Sequence, residues 1–183
     1  MSRSVLFVCT ANICRSPYAA KQLRQLLGAD SEFDVFSAGV RSEWLELVGE
    51  PACEEMPEVP HADYEHAATQ LTVDMVRAAD LIIGFEASHR AAVIDLQPRA
   101  QVKTYTARQI ERLANAVSAL NWPPAAPERT GDALRDLNAA RSWAPFAEDP
   151  DVTDPHGAGV EAHRACAGDI DDIAHAVARL LLG

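Results

Sequence analysis

The sequence predicts an α/β fold: a single domain with a central four-stranded, mostly parallel sheet and helices on both faces. Short apolar runs rich in β-branched residues alternate along the chain with longer segments of helical periodicity. This alternation is typical of parallel strands that are buried on both faces. The length of 183 residues suits one domain of roughly 100–200 residues. We therefore expect residues 1–183 to form one domain.

Four short apolar runs predict the strands. They lie at residues 5–9, 32–37, 81–85 and 101–105. Because parallel sheets bind ligands at the carboxyl ends of their strands, the loop that follows the first strand is the first place to look for a functional site. We expect a phosphate-binding loop there.

The segments between the strands carry helical patterns with recognisable ends. Helices are predicted at residues 17–27, 72–79, 88–96, 106–120, 130–140 and 160–182, with a short helix near 52–56. Pro17 suits the first turn of a helix, Gly28 ends that helix, and Thr72 is a candidate N-cap. Residues 106–143 form an expanded helical segment with a proline-rich connector at 123–127. Residues 145–159 form an acidic loop that is rich in proline and glycine.

The charge balance excludes several partners. The chain has 16 Lys+Arg against 27 Asp+Glu, and its formal net charge is −11. Such a field repels nucleic acid and anionic membrane surfaces, and no apolar run approaches the ~20 residues of a membrane span. We expect neither nucleic acid nor membrane as a partner. The 4 cysteines and the lack of an export signal favour a cytoplasmic chain with reduced thiols, which we expect to be a monomer or a weak dimer.

A cysteine, five further residues and an arginine separate the first predicted strand from a helix start at Ser16. Such a loop can turn successive N–H groups inward to bind an anion, and the helix N-terminus adds positive potential. Arg15 offers a planar fork to two phosphate oxygens, and Cys9 becomes a candidate nucleophile in its thiolate form. The predicted phosphate-binding residues are Thr10, Ala11, Asn12, Ile13, Cys14, Arg15 and Ser16. The alternative is that Cys9 is a small packing residue at a strand end; its position before a helix start favours the catalytic interpretation.

Residues 8–17, V-C-T-A-N-I-C-R-S-P, resemble the signature V-C-x-G-N-I-C-R-S-P of the low-molecular-weight protein tyrosine phosphatases. Residues 37–39, 66–72, 79–83 and 151–157 are similar to further motifs of that family, in the same order. The resemblance implies hydrolysis of phosphomonoesters without a metal or cofactor. Its expected substrates are phosphotyrosine proteins or small aryl phosphates. Cys9 would form a phosphocysteine intermediate and Arg15 would clamp the phosphate.

A carboxylic acid is needed to protonate the leaving oxygen. Three aspartates of the acidic loop are candidates, Asp149, Asp151 and Asp154, and the residues alone do not choose among them. The resemblance selects Asp154 as the general acid and base. The sequence departs from the family pattern at Ala11, where glycine is usual.

Two further departures concern the rim of the site. Glu86 lies near a position where the family more often has aspartate, and His156 replaces a frequent aromatic residue. Trp44 is a candidate wall of the pocket, and His66 a candidate buttress of the site. The remaining histidines are expected on the surface or in the core; they are His61, His89, His163 and His175.

Two other functions remain open. An arsenate reductase uses a similar loop, but it typically requires further cysteines after the third strand, and residues 85–97 contain none. A phospho-ligand-binding regulatory module with weak or no catalysis is the other alternative, because Ala11 or the altered rim could impair turnover. Turnover of p-nitrophenyl phosphate and thiol-dependent reduction of arsenate separate these functions.

Overall fold

A computed structural model describes residues 3–42, 66–117, 132–143 and 151–183 of the protein. Its sheet contains β1 (Arg3–Cys9), β2 (Phe33–Gly39), β3 (Leu81–Gly84) and β4 (Thr104–Thr106). The strand order is β2-β1-β3-β4, and every pairing among these strands is parallel. The predicted α/β class is confirmed, and the described sheet is parallel throughout.

Six α-helices and one 3-10 helix connect and cover the described strands. They are α1 (Arg15–Leu27), α2 (Val73–Ala78), α3 (Ala87–Leu96), the 3-10 helix Pro98–Lys103, α4 (Ala107–Val117), α5 (Ala133–Trp143) and α6 (Val160–Leu182). Thr72 caps α2 as expected, since its hydroxyl oxygen accepts the N–H of Met75 at 3.3 Å.

The central strand β1 separates two apolar layers. Val5 and Phe7 belong to a cluster that also contains buried side chains of α1, α4, α5 and α6. Leu6 and Val8 point to the opposite face and pack with side chains of α2 and α3. Because successive side chains of a strand alternate between faces, a strand that is covered on both sides must be apolar at every position. The continuous apolar run of β1 has this cause.

The predicted strand at residues 101–105 was wrong in its first part. Residues 98–103 form a 3-10 helix, and the strand begins only at Thr104. Pro98 lies in the first turn of this helix, where its fixed φ is favourable. The carbonyls of Gln101 and Val102 accept hydrogen bonds from Arg141 at 3.0 and 3.2 Å. A contact from a distant helix therefore stabilises a turn where the local pattern indicated a strand.

Helix α1 begins at Arg15, two residues before the predicted start at residue 17. Pro17 is the third residue of the helix, a first-turn position whose N–H would have no intrahelical partner. The backbone N–H of Tyr18 then makes the first bond, to the carbonyl of Cys14 at 3.1 Å. Arg15 and Ser16 consequently project from the first turn of α1, directly after the loop that follows β1.

Several sequence predictions lie outside the described residues. These are the short helix near 52–56, the connector at 123–127, Trp44, His61 and Asp149. Among the residues that the structure does describe, no helix has the length and apolar character that crossing a membrane requires.

Candidate active site

Asn12 fixes the shape of the loop between β1 and α1. Its φ of 58° is left-handed, the one such value at a non-glycine position in the described ranges, and asparagine tolerates this conformation better than most residues. Its fully buried side chain donates from Nδ2 to the hydroxyls of Ser16 and Ser37, both at 2.9 Å. Its Oδ1 accepts the N–H of Thr69 at 2.8 Å. One side chain thus joins the loop, β2 and the segment before α2.

The sulfur of Cys9 faces two hydrogen-bond donors. The backbone N–H of Asn12 donates to Sγ at 3.2 Å, and the hydroxyl of Ser16 lies 3.0 Å from the same atom. Ser16 Oγ already accepts from Asn12, so its own proton is available to Sγ or to the carbonyl of Ala38, which is farther away at 3.5 Å. Donors of this kind stabilise a thiolate, which is the nucleophilic form of cysteine.

Gly39 lets the loop approach the end of β2. A Cβ atom at this position would lie 2.8 to 2.9 Å from backbone atoms of Thr10, Ala11 and Asn12, which is closer than van der Waals contact allows. The φ of Ala11 is not left-handed. The departure from glycine at residue 11 therefore imposes no backbone strain, because the loop places its left-handed residue at Asn12.

Arg15 is buried beside the loop and is surrounded by acceptors. Its Nη1 donates to Glu86 Oε1 at 2.6 Å and to the carbonyl of Val152 at 3.0 Å, and Nη2 donates to Asp154 Oδ2 at 2.5 Å. Burial lowers the pKa of Arg15, but the charges of Asp154, Cys9 and Glu86 outweigh burial and raise the pKa above its ordinary value. The guanidinium is therefore permanently charged, and Arg15 joins the loop to two acidic side chains.

The segment that starts at residue 151 is bound to the carboxyl end of β3. The N–H of Val152 donates to the carbonyl of Phe85 at 2.9 Å, and Asp151 Oδ1 accepts the N–H of Ala87 at 2.8 Å. These bonds direct Asp151 toward the start of α3, whereas Asp154 contacts Arg15. Of the two described candidate acids, Asp154 is thus the one that the structure brings to the loop, and 44% of its side chain is exposed to an incoming substrate.

His89 was expected on the surface or in the core, but in the structure its ring also contacts the loop. The whole residue is 1% exposed. The N–H of Glu86 donates to Nδ1 at 3.1 Å, and Nε2 lies 3.0 Å from Thr10 Oγ1. Burial is the main cause that lowers the pKa of His89 to about 4. The signal in the sequence was a histidine three residues after Glu86, at a helix start that follows a buried strand.

The other predicted residues take varied places. His66 Nε2 lies 2.7 Å from the backbone oxygen of Asn12, and burial lowers the pKa of His66. Cys14 is the N-cap of α1, and Ile13 packs partly buried against the larger apolar cluster. The exposed His156 donates its N–H to Asp154 Oδ1 at 3.2 Å, so its backbone helps to orient the carboxylate.

Comparison with known proteins identifies the family to which the chain belongs. Residues 4–119 match the family model described as low molecular weight phosphotyrosine protein phosphatase. The chain belongs to this family.

Individual members show how far the likeness extends. The chain is 36% identical over 108 residues to the probable low molecular weight protein-tyrosine-phosphatase AmsI of Erwinia amylovora, which covers 57% of this chain and 70% of AmsI. It is 39% identical over 106 residues to the low molecular weight protein-tyrosine-phosphatase Etp of Escherichia coli, which covers 55% of this chain and 66% of Etp. The solved structure of Vibrio vulnificus Wzb in complex with benzylphosphonate matches with a TM-score of 0.66 and 26% identity, covering 99% of this chain and all of that one.

The family model and the structural match differ in extent. The match to the family model ends at residue 119, before Asp154 and α6. The structural match to Wzb continues over nearly the whole chain. The similarity to the low-molecular-weight phosphatases is therefore carried in the last third of the chain by the fold more than by the sequence.

Proposed function

We propose that the protein is a protein-tyrosine phosphatase that hydrolyses phosphomonoesters without a metal, through a phosphocysteine intermediate. Cys9 is the nucleophile, Arg15 clamps the phosphate, and Asp154 is the general acid and base. The observation that carries the proposal is the convergence of two donors on Cys9 Sγ with the Arg15–Asp154 pair beside the same loop. Family membership supports it independently.

The phosphate of the substrate is bound by the loop and by Arg15. The N–H groups of residues 10–16 and the N-terminus of α1 supply positive potential, and Arg15 adds a full charge. Arg15 now donates to Asp154, so a bound phosphate competes with that carboxylate for the guanidinium. A phosphate that takes over the Nη2 contact leaves Asp154 free to carry a proton.

The first chemical step forms the phosphocysteine. The Cys9 thiolate attacks phosphorus, an S–P bond forms and the bond from phosphorus to the phenolic oxygen breaks. Asp154 donates its proton to that oxygen, so a neutral phenol leaves. Loop N–H groups and Arg15 stabilise the equatorial oxygens in the transition state.

The second step reverses the roles of the acid and the sulfur. Asp154, now a carboxylate, accepts a proton from water as the water oxygen attacks phosphorus. The S–P bond breaks, inorganic phosphate is released and the electron pair returns to sulfur. The hydroxyl of Ser16, 3.0 Å from Sγ, stabilises the thiolate as it leaves.

Two substitutions test these roles with p-nitrophenyl phosphate. We expect Cys9→Ser to abolish turnover while vanadate still binds. Asp154→Asn should lower kcat by about 10²–10⁴-fold, the usual size of an acid–base contribution. Full activity of Cys9→Ser would refute the proposal.

Matched controls separate these roles from general damage. Cys166→Ala removes another buried thiol, and Asp151→Asn keeps an acceptor for the N–H of Ala87. Both should retain most of the turnover. If Asp151→Asn slows the reaction as much as Asp154→Asn does, the acid is wrongly assigned.

Two further assays of the wild-type protein distinguish the other functions that the sequence left open. Thiol-dependent reduction of arsenate without phosphatase activity would indicate an arsenate reductase. Vanadate binding without turnover would indicate a phospho-ligand-binding module. Faster hydrolysis of a phosphotyrosine peptide than of a matched phosphoserine peptide supports the assigned substrate class.

We further propose that residues 1–183 act as one phosphatase domain with an expanded helical segment at about 106–143, which the extent of the match to Wzb supports. A cytoplasmic location is proposed for the same chain, because Cys9 must stay reduced to react.

A further inference from the structure

His89 lies between the loop that follows β1 and Glu86, the residue that binds Arg15. It belongs to the first turn of α3, and its ring touches Thr10, the residue directly after Cys9. On its other side the ring accepts the backbone N–H of Glu86, whose carboxylate holds Arg15 at 2.6 Å. The ring therefore links Thr10, which follows the nucleophile in sequence, to Glu86, which binds the guanidinium of Arg15.

The hydrogen bonds determine which ring nitrogen carries the proton. A backbone N–H can only donate, so Nδ1 must accept from Glu86 and cannot itself be protonated. In a neutral imidazole the proton is then on Nε2, which donates to Thr10 Oγ1 at 3.0 Å. Glu86 Oε1, 3.8 Å from Nε2, favours the same tautomer.

We propose that His89 is a positioning residue for phosphate binding: its neutral Nε2–H tautomer fixes Thr10, and with it the first turn of the loop, relative to Glu86 and Arg15. The loop amides and the guanidinium must reach one phosphate at the same time. A rigid link between Thr10 in the loop and Glu86, which binds Arg15, preserves this alignment before the substrate arrives. The inference rests on the proposed phosphatase function and adds a residue to it.

The surroundings keep the ring neutral. Burial and, to a smaller extent, the charge of Arg15 lower the pKa of His89 to about 4, although the charges of Glu86, Asp154 and Asp151 oppose this shift. The charged groups come from the start of α3, from α1 and from the segment after residue 150. A second proton would have to sit on Nδ1, where it would face the N–H of Glu86 and break that bond.

Two amide substitutions each retain one half of the ring's contacts. In His89→Gln the amide nitrogen can reach the place of Nε2 and still donate to Thr10. In His89→Asn the amide oxygen can replace Nδ1 as the acceptor for Glu86, but nothing reaches Thr10. From the other side, Thr10→Val removes the acceptor at nearly constant shape, and Thr10→Ser retains a hydroxyl.

Vanadate affinity, measured by calorimetry, and kcat/KM for p-nitrophenyl phosphate are the two assays. We expect His89→Asn and Thr10→Val each to weaken both by about two- to tenfold, the factor that one ordinary hydrogen bond contributes. His89→Gln and Thr10→Ser should restore most of the loss. The double variant His89→Asn, Thr10→Val should be little worse than either single one, because both remove the same contact. Circular dichroism identifies any variant that fails to fold, and the Thr10 pair then carries the test.

Three results would overturn the inference. One is a double variant whose loss equals the product of the two single losses. Another is a His89→Gln variant as impaired as His89→Asn. The third is a ¹⁵N spectrum at neutral pH that shows the proton of His89 on Nδ1.

The vanadate assay keeps this test separate from that of the proposed function. If the wild-type protein binds vanadate but does not hydrolyse p-nitrophenyl phosphate, the phosphatase proposal fails while the four variants still decide the role of His89. If the wild-type protein does not bind vanadate, the loop is no oxyanion site and both proposals fall.

Discussion

Replacing Asn12 tests whether a single side chain holds the catalytic loop in shape. Asn12→Ala removes two donated bonds, to Ser16 and Ser37, and one accepted bond, from Thr69. It also forces alanine into a left-handed conformation with φ near 58°. Asn12→Gly removes the same three bonds but adopts that conformation without steric cost.

The contacts set the expected loss of stability. Each hydrogen bond contributes a net of about 0.5–1.5 kcal/mol, and a left-handed backbone costs a residue such as alanine about 1–2 kcal/mol. We expect Asn12→Ala to lower the free energy of unfolding by about 3–5 kcal/mol. Asn12→Gly avoids the steric cost but gains freedom in the unfolded chain, worth about 0.4–1 kcal/mol, so it should be the milder variant by a small margin.

Equilibrium unfolding in urea measures both variants against the wild type. The rate at which iodoacetamide alkylates Cys9 reports the loop directly, and it should change in both variants because Ser16 loses the partner that orients its hydroxyl. A loss below about 1 kcal/mol for Asn12→Ala, less than one ordinary bond, would refute the reasoning. So would an unchanged alkylation rate at Cys9.

Two further predictions concern pH and packing. His89 has a pKa of about 4 in the folded protein against 6.5 as a free side chain, so the unfolded chain binds more protons between these values and stability falls as pH drops from about 6.5 to about 4, by at most about 3 kcal/mol. Urea unfolding as a function of pH should show this slope in the wild type and not in His89→Gln, and parallel curves would contradict it. Gly39→Ala should cost about 1–3 kcal/mol by overpacking and lower turnover. Gly168→Ala should instead stabilise the protein by about 0.5–1 kcal/mol, because at this helical position the added Cβ meets nothing within 4 Å beyond the adjacent backbone of its own helix. Equal effects of the two substitutions in thermal unfolding would rule out the clash at Gly39.

The elements of the fold were largely predictable because their signals are local. The strand Arg3–Cys9 is apolar at its buried positions, and Thr72 caps its helix through its own side chain. The error at residues 101–103 has the opposite cause. There the backbone carbonyls bond to Arg141, about 40 residues later in the chain, and no local pattern records that contact.

The candidate site likewise has a part that the sequence predicts and a part that depends on contacts between distant residues. The loop from Cys9 to Ser16 is one contiguous stretch whose spacing indicates its chemistry. The pairing of Arg15 with Asp154 joins residues 139 positions apart, so the residues alone left three candidate acids and only the family resemblance chose one. His89 was missed because its ring meets Thr10 only when α3 packs against the loop.

Val152 contributes to the active site through its main chain alone. Its N–H binds the carbonyl of Phe85 and its carbonyl accepts from Arg15, while its side chain is buried in the apolar cluster. Any apolar residue of similar volume would present the same two backbone groups. During divergence this position can therefore exchange valine for isoleucine or leucine, while the carboxylate of Asp154, two residues later, stays oriented toward Arg15.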